Sequence, residues 1–212
     1  RTMTTILMMQ TTAVAVALLC LLSSPALGFA PNHGSHFQRT SSLSMSANAL
    51  IVQNKGGGHG ELGYQLAKTL SSHPKIASIT ILQDDACKDD QEPFCSYATD
   101  LPNVKVVKAP LGDDDDDDYS MTASDIQTTL GNDASFDYVW DNASKKPEGA
   151  GKAIPDLCQA WNVQLLTYVS SAGIYTPSKD ATFPMSETTP IKETAGQALY
   201  DAYCVDLGLP FV

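Results

Sequence analysis

Acidic side chains are missing from the start of this chain: no Asp or Glu precedes Glu61. Basic residues are scarce overall, with 13 Lys and Arg against 24 Asp and Glu, a formal charge of −11. A surface of that sign repels phosphates, which excludes broad electrostatic binding of RNA or DNA. The five cysteines, at positions 20, 87, 95, 158 and 204, form no Cys-x-x-Cys and have no His at metal spacing, so no structural zinc is expected. Isolated thiols are the expected state, although Cys87 and Cys95 share one loop and could pair. No apolar run is long and uninterrupted enough for a stable membrane span. What is present is an ordinary hydrophobic share, 43% of 212 residues, enough for one domain with a proper core and not comfortably two.

The most informative stretch is Asn48 to Ser72. Ala49 to Gln53 is a short Leu/Ile/Val-rich run and reads as a strand buried on both faces. Gly56, Gly57, Gly58, His59, Gly60, Glu61, Leu62 and Gly63 follow, with Gly-x-Gly-x-x-Gly spacing at Gly58, Gly60 and Gly63. Leu62, Leu66, Ala67 and Leu70 then recur at helical spacing. Strand, glycine turn and helix in that order make an anion site. The first glycine takes the turn, the second admits a pyrophosphate, and the third lets helix and strand approach. A P-loop would need Gly-Lys-Ser/Thr, and Gly63 is followed by Tyr64. A kinase glycine loop would continue as a strand, whereas Tyr64 to Leu70 looks helical. Gly57 to Gly63 is therefore the candidate cofactor turn.

Further strands are expected at Ala77–Leu82, Val104–Val107, Phe136–Trp140, Leu165–Val169 and from Leu209, with helices at Lys152–Trp161 and Glu193–Leu207. This alternation predicts an α/β fold with a doubly wound parallel sheet that stops as its sixth strand begins. Asp84, with Asp85, stands about 20 residues after the glycines, where an acid bonds the ribose hydroxyls of NAD in preference to NADP; both serve equally as solvated loop acids. Asp141, Asn142, Ser170 and Ser171 fall at later strand ends and complete the candidate crevice. Asn142-Ala143-Ser144 is also a glycosylation sequon, relevant only to a secreted chain. The six consecutive aspartates Asp113 to Asp118 repel one another and are assigned no function. Lys145, Lys146 and Lys152 make a modest basic patch of the kind that is usually a solvated face.

Residues 1–46 read as an address. Ala13 to Leu22 is an apolar core before the small-residue site Ala26-Leu27-Gly28, as in a signal peptide. The following tract is acid-poor and Ser-rich and carries Arg39, as in a transit peptide. Gly28-Phe29-Ala30-Pro31 resembles the junction in two-part leaders of algae with secondary plastids. That resemblance implies import to the plastid stroma, with ordinary secretion as the alternative. The domain then covers residues 47–212.

Three segments carry a wider resemblance: ALIVQNKGGGHGELGYQLAK, FDYVWDNASK and YVSSAGIYTP. They are similar to the plastid stem-loop RNA-binding proteins, an atypical branch of the extended short-chain dehydrogenase/reductase superfamily that also holds nucleotide-sugar epimerases and dehydratases. The match runs from about Asn48 to Val212. It implies a Rossmann-like NAD(P)-binding domain, C-terminally incomplete relative to that superfamily, and a plastid RNA or ribosome as partner. Cutting of RNA stem-loops is implied for some members, with Mg2+ needed only in that case.

Working members of the superfamily use a Ser with a Tyr-x-x-x-Lys pair, whose lysine favours tyrosinate for proton exchange. Ser171 matches the Ser and is the candidate catalytic residue. The pentad occurs as Tyr64–Lys68 and Tyr175–Lys179, neither in the family's place. Aligning the expected helix on Asp201 puts Glu193 and Gln197 at the Tyr and Lys positions, and neither is that relay. Ordinary redox or epimerase chemistry is therefore expected to be lost. The alternative is an NAD-dependent nucleotide-sugar epimerase, dehydratase or reductase whose relay has moved, to Tyr175 with Lys179 or to Glu193.

Overall fold

The computed structural model describes residues 46–53, 57–112, 121–175 and 188–212. Residues 1–45 of the stretch read as a targeting leader, Cys20 among them, and Gly56, the Asp113–Asp118 run and Lys179 lie outside them. The chain divides into two units, Arg1–Ser46 and Ala47–Val212, and all the elements below belong to the second.

Five strands form one parallel sheet in the order β3-β2-β1-β4-β5. They are β1 (Ala47–Gln53), β2 (Ile76–Asp84), β3 (Val104–Ala109), β4 (Tyr138–Asn142) and β5 (Leu165–Tyr168). The first strand is therefore central, paired on one side with β2 and on the other with β4. Its position explains its composition. Ala49, Leu50, Ile51 and Val52 are all fully buried, as a strand covered on both faces demands. The doubly wound parallel sheet expected from the alternation of elements is the fold that forms.

The helices are α1 (Gly57–Ser71), the single-turn α2 (Tyr97–Asp100), α3 (Ala123–Leu130), α4 (Ala150–Trp161) and α5 (Gly196–Asp206). One face of the sheet carries the main core, where Leu50, Val52, Leu82 and Val139 meet Ile126, Ile154, Leu157, Tyr200 and Cys204 of α3, α4 and α5. On the other face α1 buries Leu66, Ala67 and Leu70, the positions its periodicity marked. Among the described residues no helix is long and apolar enough to cross a membrane.

Several boundaries differ from expectation for identifiable reasons. β4 starts two residues late because Phe136 is spent on the core and Asp137 on the ladder entrance. There its carboxylate accepts from Asn48 N at 2.8 Å while its own amide donates to Asn48 O. The sixth strand is reduced to a bridge between Leu166 and Phe211, held by Leu166 N donating to Pro210 O and Val212 N to Leu166 O. Cys87 and Cys95 are free thiols. The loop expected around Cys87 and Cys95 contains a 3-10 turn (Phe94–Ser96) and is followed by α2.

Helix α3 was not expected at all. Its eight residues carry only two buried apolar side chains, Ile126 and Leu130, too few for a periodic signal. What fixes it is a reciprocal cap. Thr122 Oγ1 accepts from Asp125 N, and the Asp125 carboxylate accepts from Thr122 N at 2.9 Å. Replacing Thr122 by Ala should lower stability by about 1 kcal/mol, read as a shift in the denaturant midpoint with the slope unchanged.

Candidate functional site

In an open parallel sheet the ligand crevice lies beyond the carboxyl ends of the strands, where the chain leaves the first strand in opposite directions. Here that point is the end of β1, between β2 and β4. Gly57–Gly63 opens α1 after β1, Asp84 ends β2, Asp141 and Asn142 end β4, and Ser170 and Ser171 follow β5. The topology thus brings every candidate residue to one edge of the sheet.

The glycines form the first turns of α1, which starts at Gly57. The first four N–H groups of a helix have no partner inside it and suit an anion. Gly60 and Gly63 have separate steric reasons. A Cβ on Gly60 would come within 2.7 Å of Phe94 Cζ, so the ring of Phe94 abuts the helix backbone there. A Cβ on Gly63 would overlap Oε1 of Gln53 and touch Ile51 Cγ2 at 3.5 Å, so this residue is where helix and strand press together. Between them, Glu61 accepts from Gln65 Nε2 and Leu62 is half-buried.

Gln53, the last residue of β1, is fully buried and donates from Nε2 to Tyr97 OH at 2.5 Å. Tyr97 stacks on Tyr64, and burial pushes its phenol up to about 12. The strand registers pair Gln53 with Gln83 on β2 and with Asn142 on β4, a row of three buried amides across the carboxyl end of the sheet. Oε1 of both glutamines is buried without a hydrogen-bond donor. Such acceptors are costly unless met, and that of Gln53 is packed against Gly63 of α1. Asp84 is 3% exposed, and its Oδ1 accepts from Ala86 N at 2.8 Å.

Asp141 is fully buried. Its Oδ1 accepts from Ala143 N and Ser144 N, both at 3.0 Å, and its Oδ2 from Ser144 Oγ and Tyr200 OH, both at 2.6 Å. Asn142 beside it is 3% exposed. Ser170 and Ser171 are both exposed, and Ser171 Oγ accepts from Gly173 N at 3.1 Å, capping the 3-10 turn Ala172–Ile174. Tyr175 is half-buried and bridges Ile191. Glu193 is exposed and Gln197 half-buried, one on each side of the start of α5.

Two Tyr–Lys contacts occur among the described residues, and in both an aspartate intervenes. Tyr64 OH donates to Asp100, and Lys68 lies 5.5 Å from the Tyr64 ring centroid and 3.7 Å from Asp100. The hydrogen bond to Asp100, with burial, raises the Tyr64 phenol pKa against the opposing pull of Lys68. Tyr203 OH donates to Asp156, while Lys152 Nζ donates to Asp156 Oδ2 at 2.7 Å and to Tyr203 OH at 3.0 Å. Burial and the bond to Asp156 raise Tyr203 as well, and again the lysine only opposes. A relay needs a lysine that favours tyrosinate; a carboxylate accepting the phenol proton does the reverse. These pairs clamp α1 to α2 and α4 to α5. Lys146 is likewise paired, with Glu148 at 2.9 Å. Among the described residues no cluster of three or more His, Cys, Asp or Glu could hold a metal.

The structure adds Gln53, Phe94, Tyr97 and Tyr200 to the site and its support. Only Gln53 left a trace in the sequence, as a polar residue closing an apolar run. The others act on partners distant in sequence, as Tyr200 does on Asp141 across 59 positions.

No family model and no curated protein matches this chain. Solved structures do. The UDP-glucose 4-epimerase of Thermus thermophilus, in complex with NAD, matches with a TM-score of 0.50 at 15% identity, over 77% of this chain and 53% of that one. The Bordetella bronchiseptica enzyme WbmH, in complex with NAD+, gives 0.48 at 14%, over 78% and 54%. The NAD-dependent NDP-hexosamine 5,6-dehydratase TunA gives 0.45 at 18%, over 76% and 48%. The chain spans about half the length of these structures, and at such identities the likeness is one of fold.

Two outcomes test this geometry. Gly63→Ala should cost roughly 1–3 kcal/mol, because the new methyl displaces the buried Gln53 amide. In a Gln53→Ala background the same change should become neutral or stabilising, since Ala exceeds Gly in a helix by about 1 kcal/mol. Separately, Asp156→Ala should lower the Tyr203 phenol pKa, because it removes the carboxylate that raises it and leaves Lys152 as its charged neighbour; an ultraviolet absorbance titration against the unmodified protein reads it.

Proposed function

We propose that the carboxyl edge of this sheet binds an NAD-type dinucleotide, as part of an NAD-dependent protein acting on a nucleotide sugar. The observation that carries the reading is positional. A glycine-opened helix starts from the central strand, with a buried acid closing the strand on one side and a buried amide closing the strand on the other. The fold is shared with an epimerase whose structure holds NAD.

The residues fit such a group. The α1 amides suit a diphosphate, and Asp84 suits the diol of an adenosine ribose. No arginine follows Arg39, so an arginine for the extra phosphate of NADP is missing from the domain, which favours NAD. When bound, the coenzyme supplies a nicotinamide able to accept hydride. What this chain supplies is placement, together with Ser171 as a hydroxyl at the same edge. Both described Tyr–Lys contacts are tied up by aspartates, so the proton step of an epimerase or dehydratase falls to Tyr175 or Glu193. Association with plastid RNA rests on segment resemblance alone, and no basic surface reinforces it among the described residues.

Equilibrium titration of the full chain with NADH and NADPH, followed by fluorescence, tests the reading. Saturable NADH binding, tighter than NADPH, is expected. Asp84→Asn should weaken NADH by about tenfold, or 1.4 kcal/mol, and erase the preference. Absence of saturable binding by either nucleotide removes the proposal.

A further inference from the structure

The least expected feature beside the crevice is the carboxylate of Asp141. It is fully buried and meets four donors, from two backbone amides of the β4–α4 turn, the Ser144 hydroxyl and the Tyr200 phenol of α5. β5 joins the same knot, since Tyr168 OH donates to Ser144 O at 2.9 Å and the Tyr168 ring stacks on Tyr200 with centroids 4.2 Å apart. Helix α5 also presses on this turn at its first residue, where a Cβ on Gly196 would overlap the carbonyl of Lys145. One carboxylate therefore fastens β4, the turn after it and α5, with β5 attached through Ser144.

We infer that Asp141 is a positioning residue: through Tyr200 and Ser144 it fixes the β4–β5 side of the crevice, including Asn142 and the start of α5, for the nicotinamide half of the coenzyme. The inference rests on the dinucleotide reading above, in which the two halves of the coenzyme lie on opposite sides of the switch point. The β1–β2 side, with the glycine turn and Asp84, holds the adenosine half and shares none of these hydrogen bonds. A purely structural carboxylate would affect both halves alike. A positioning one affects the half its knot supports.

Tyr200→Phe deletes one hydroxyl and keeps the ring on Tyr168. AMP and NADH are titrated into the full-length protein and the variant at one pH. The expected result is NADH binding weakened about tenfold with AMP affinity unchanged within about twofold. Ser144→Ala removes a different donor from the same oxygen and should show the same split, which serves if Tyr200→Phe does not fold. Equal losses for AMP and NADH, or no change in either, overturn the inference. If the unmodified protein binds AMP and NADH with equal affinity, the nicotinamide half has no site and the inference fails while adenosine binding stands. Binding of neither refutes the dinucleotide reading itself.

Discussion

Helix α1 can lie against β1 only because residue 63 has no side chain. Gln53 occupies the space that a methyl there would take, and Gln53 is in turn held by the Tyr97 phenol. This contact sets how closely the first helix approaches the central strand. It thereby sets where the free amides of the helix point, relative to the ends of the strands on either side. Gly60 makes a second close approach, to Phe94, so the long β2–β3 connection folds back onto the same helix instead of extending into solvent. The aromatic group of Tyr64, Phe94 and Tyr97 continues that packing, with ring centroids 5.7 to 5.9 Å apart.

The chemistry of the edge follows from which groups already have partners. Tyrosine and lysine meet twice among the described residues, yet each meeting includes an aspartate that takes the phenol proton in a hydrogen bond. Their environment turns a potential acid–base pair into a brace between helices. Among the candidate residues at the crevice, Ser170 and Ser171 after β5 and Glu193 ahead of α5 are open to solvent. The site is therefore better equipped to hold a coenzyme than to shuttle protons with the groups described.

Much of this was legible in the sequence, and the limits have physical causes. Buried parallel strands announce themselves as apolar runs, so β1, β2 and β5 were located to within a few residues. Their parallel pairing followed from the alternation with helices. Helix α3 escaped because a capping interaction, not an apolar face, defines it. The role of Asp141 escaped for another reason. Read alone, an acid at a strand end beside an Asn looks like a ligand contact, whereas its partner Tyr200 lies 59 positions away. Likewise, the local spacing of Tyr64 and Lys68 does not announce that Tyr64 is only 8% exposed, because Tyr97, which covers it, comes from another helix.

The outermost strand on one side, β3, carries Lys105 and Lys108, both exposed. One donates to the Leu130 carbonyl and the other to Asp89 at 2.6 Å. Cations along a border strand discourage a foreign strand from adding to its unpaired backbone. The opposite border, where Phe211 meets Leu166, has no lysine or arginine in Leu209–Val212. The β3 flank of the sheet is therefore guarded by charge against lateral growth.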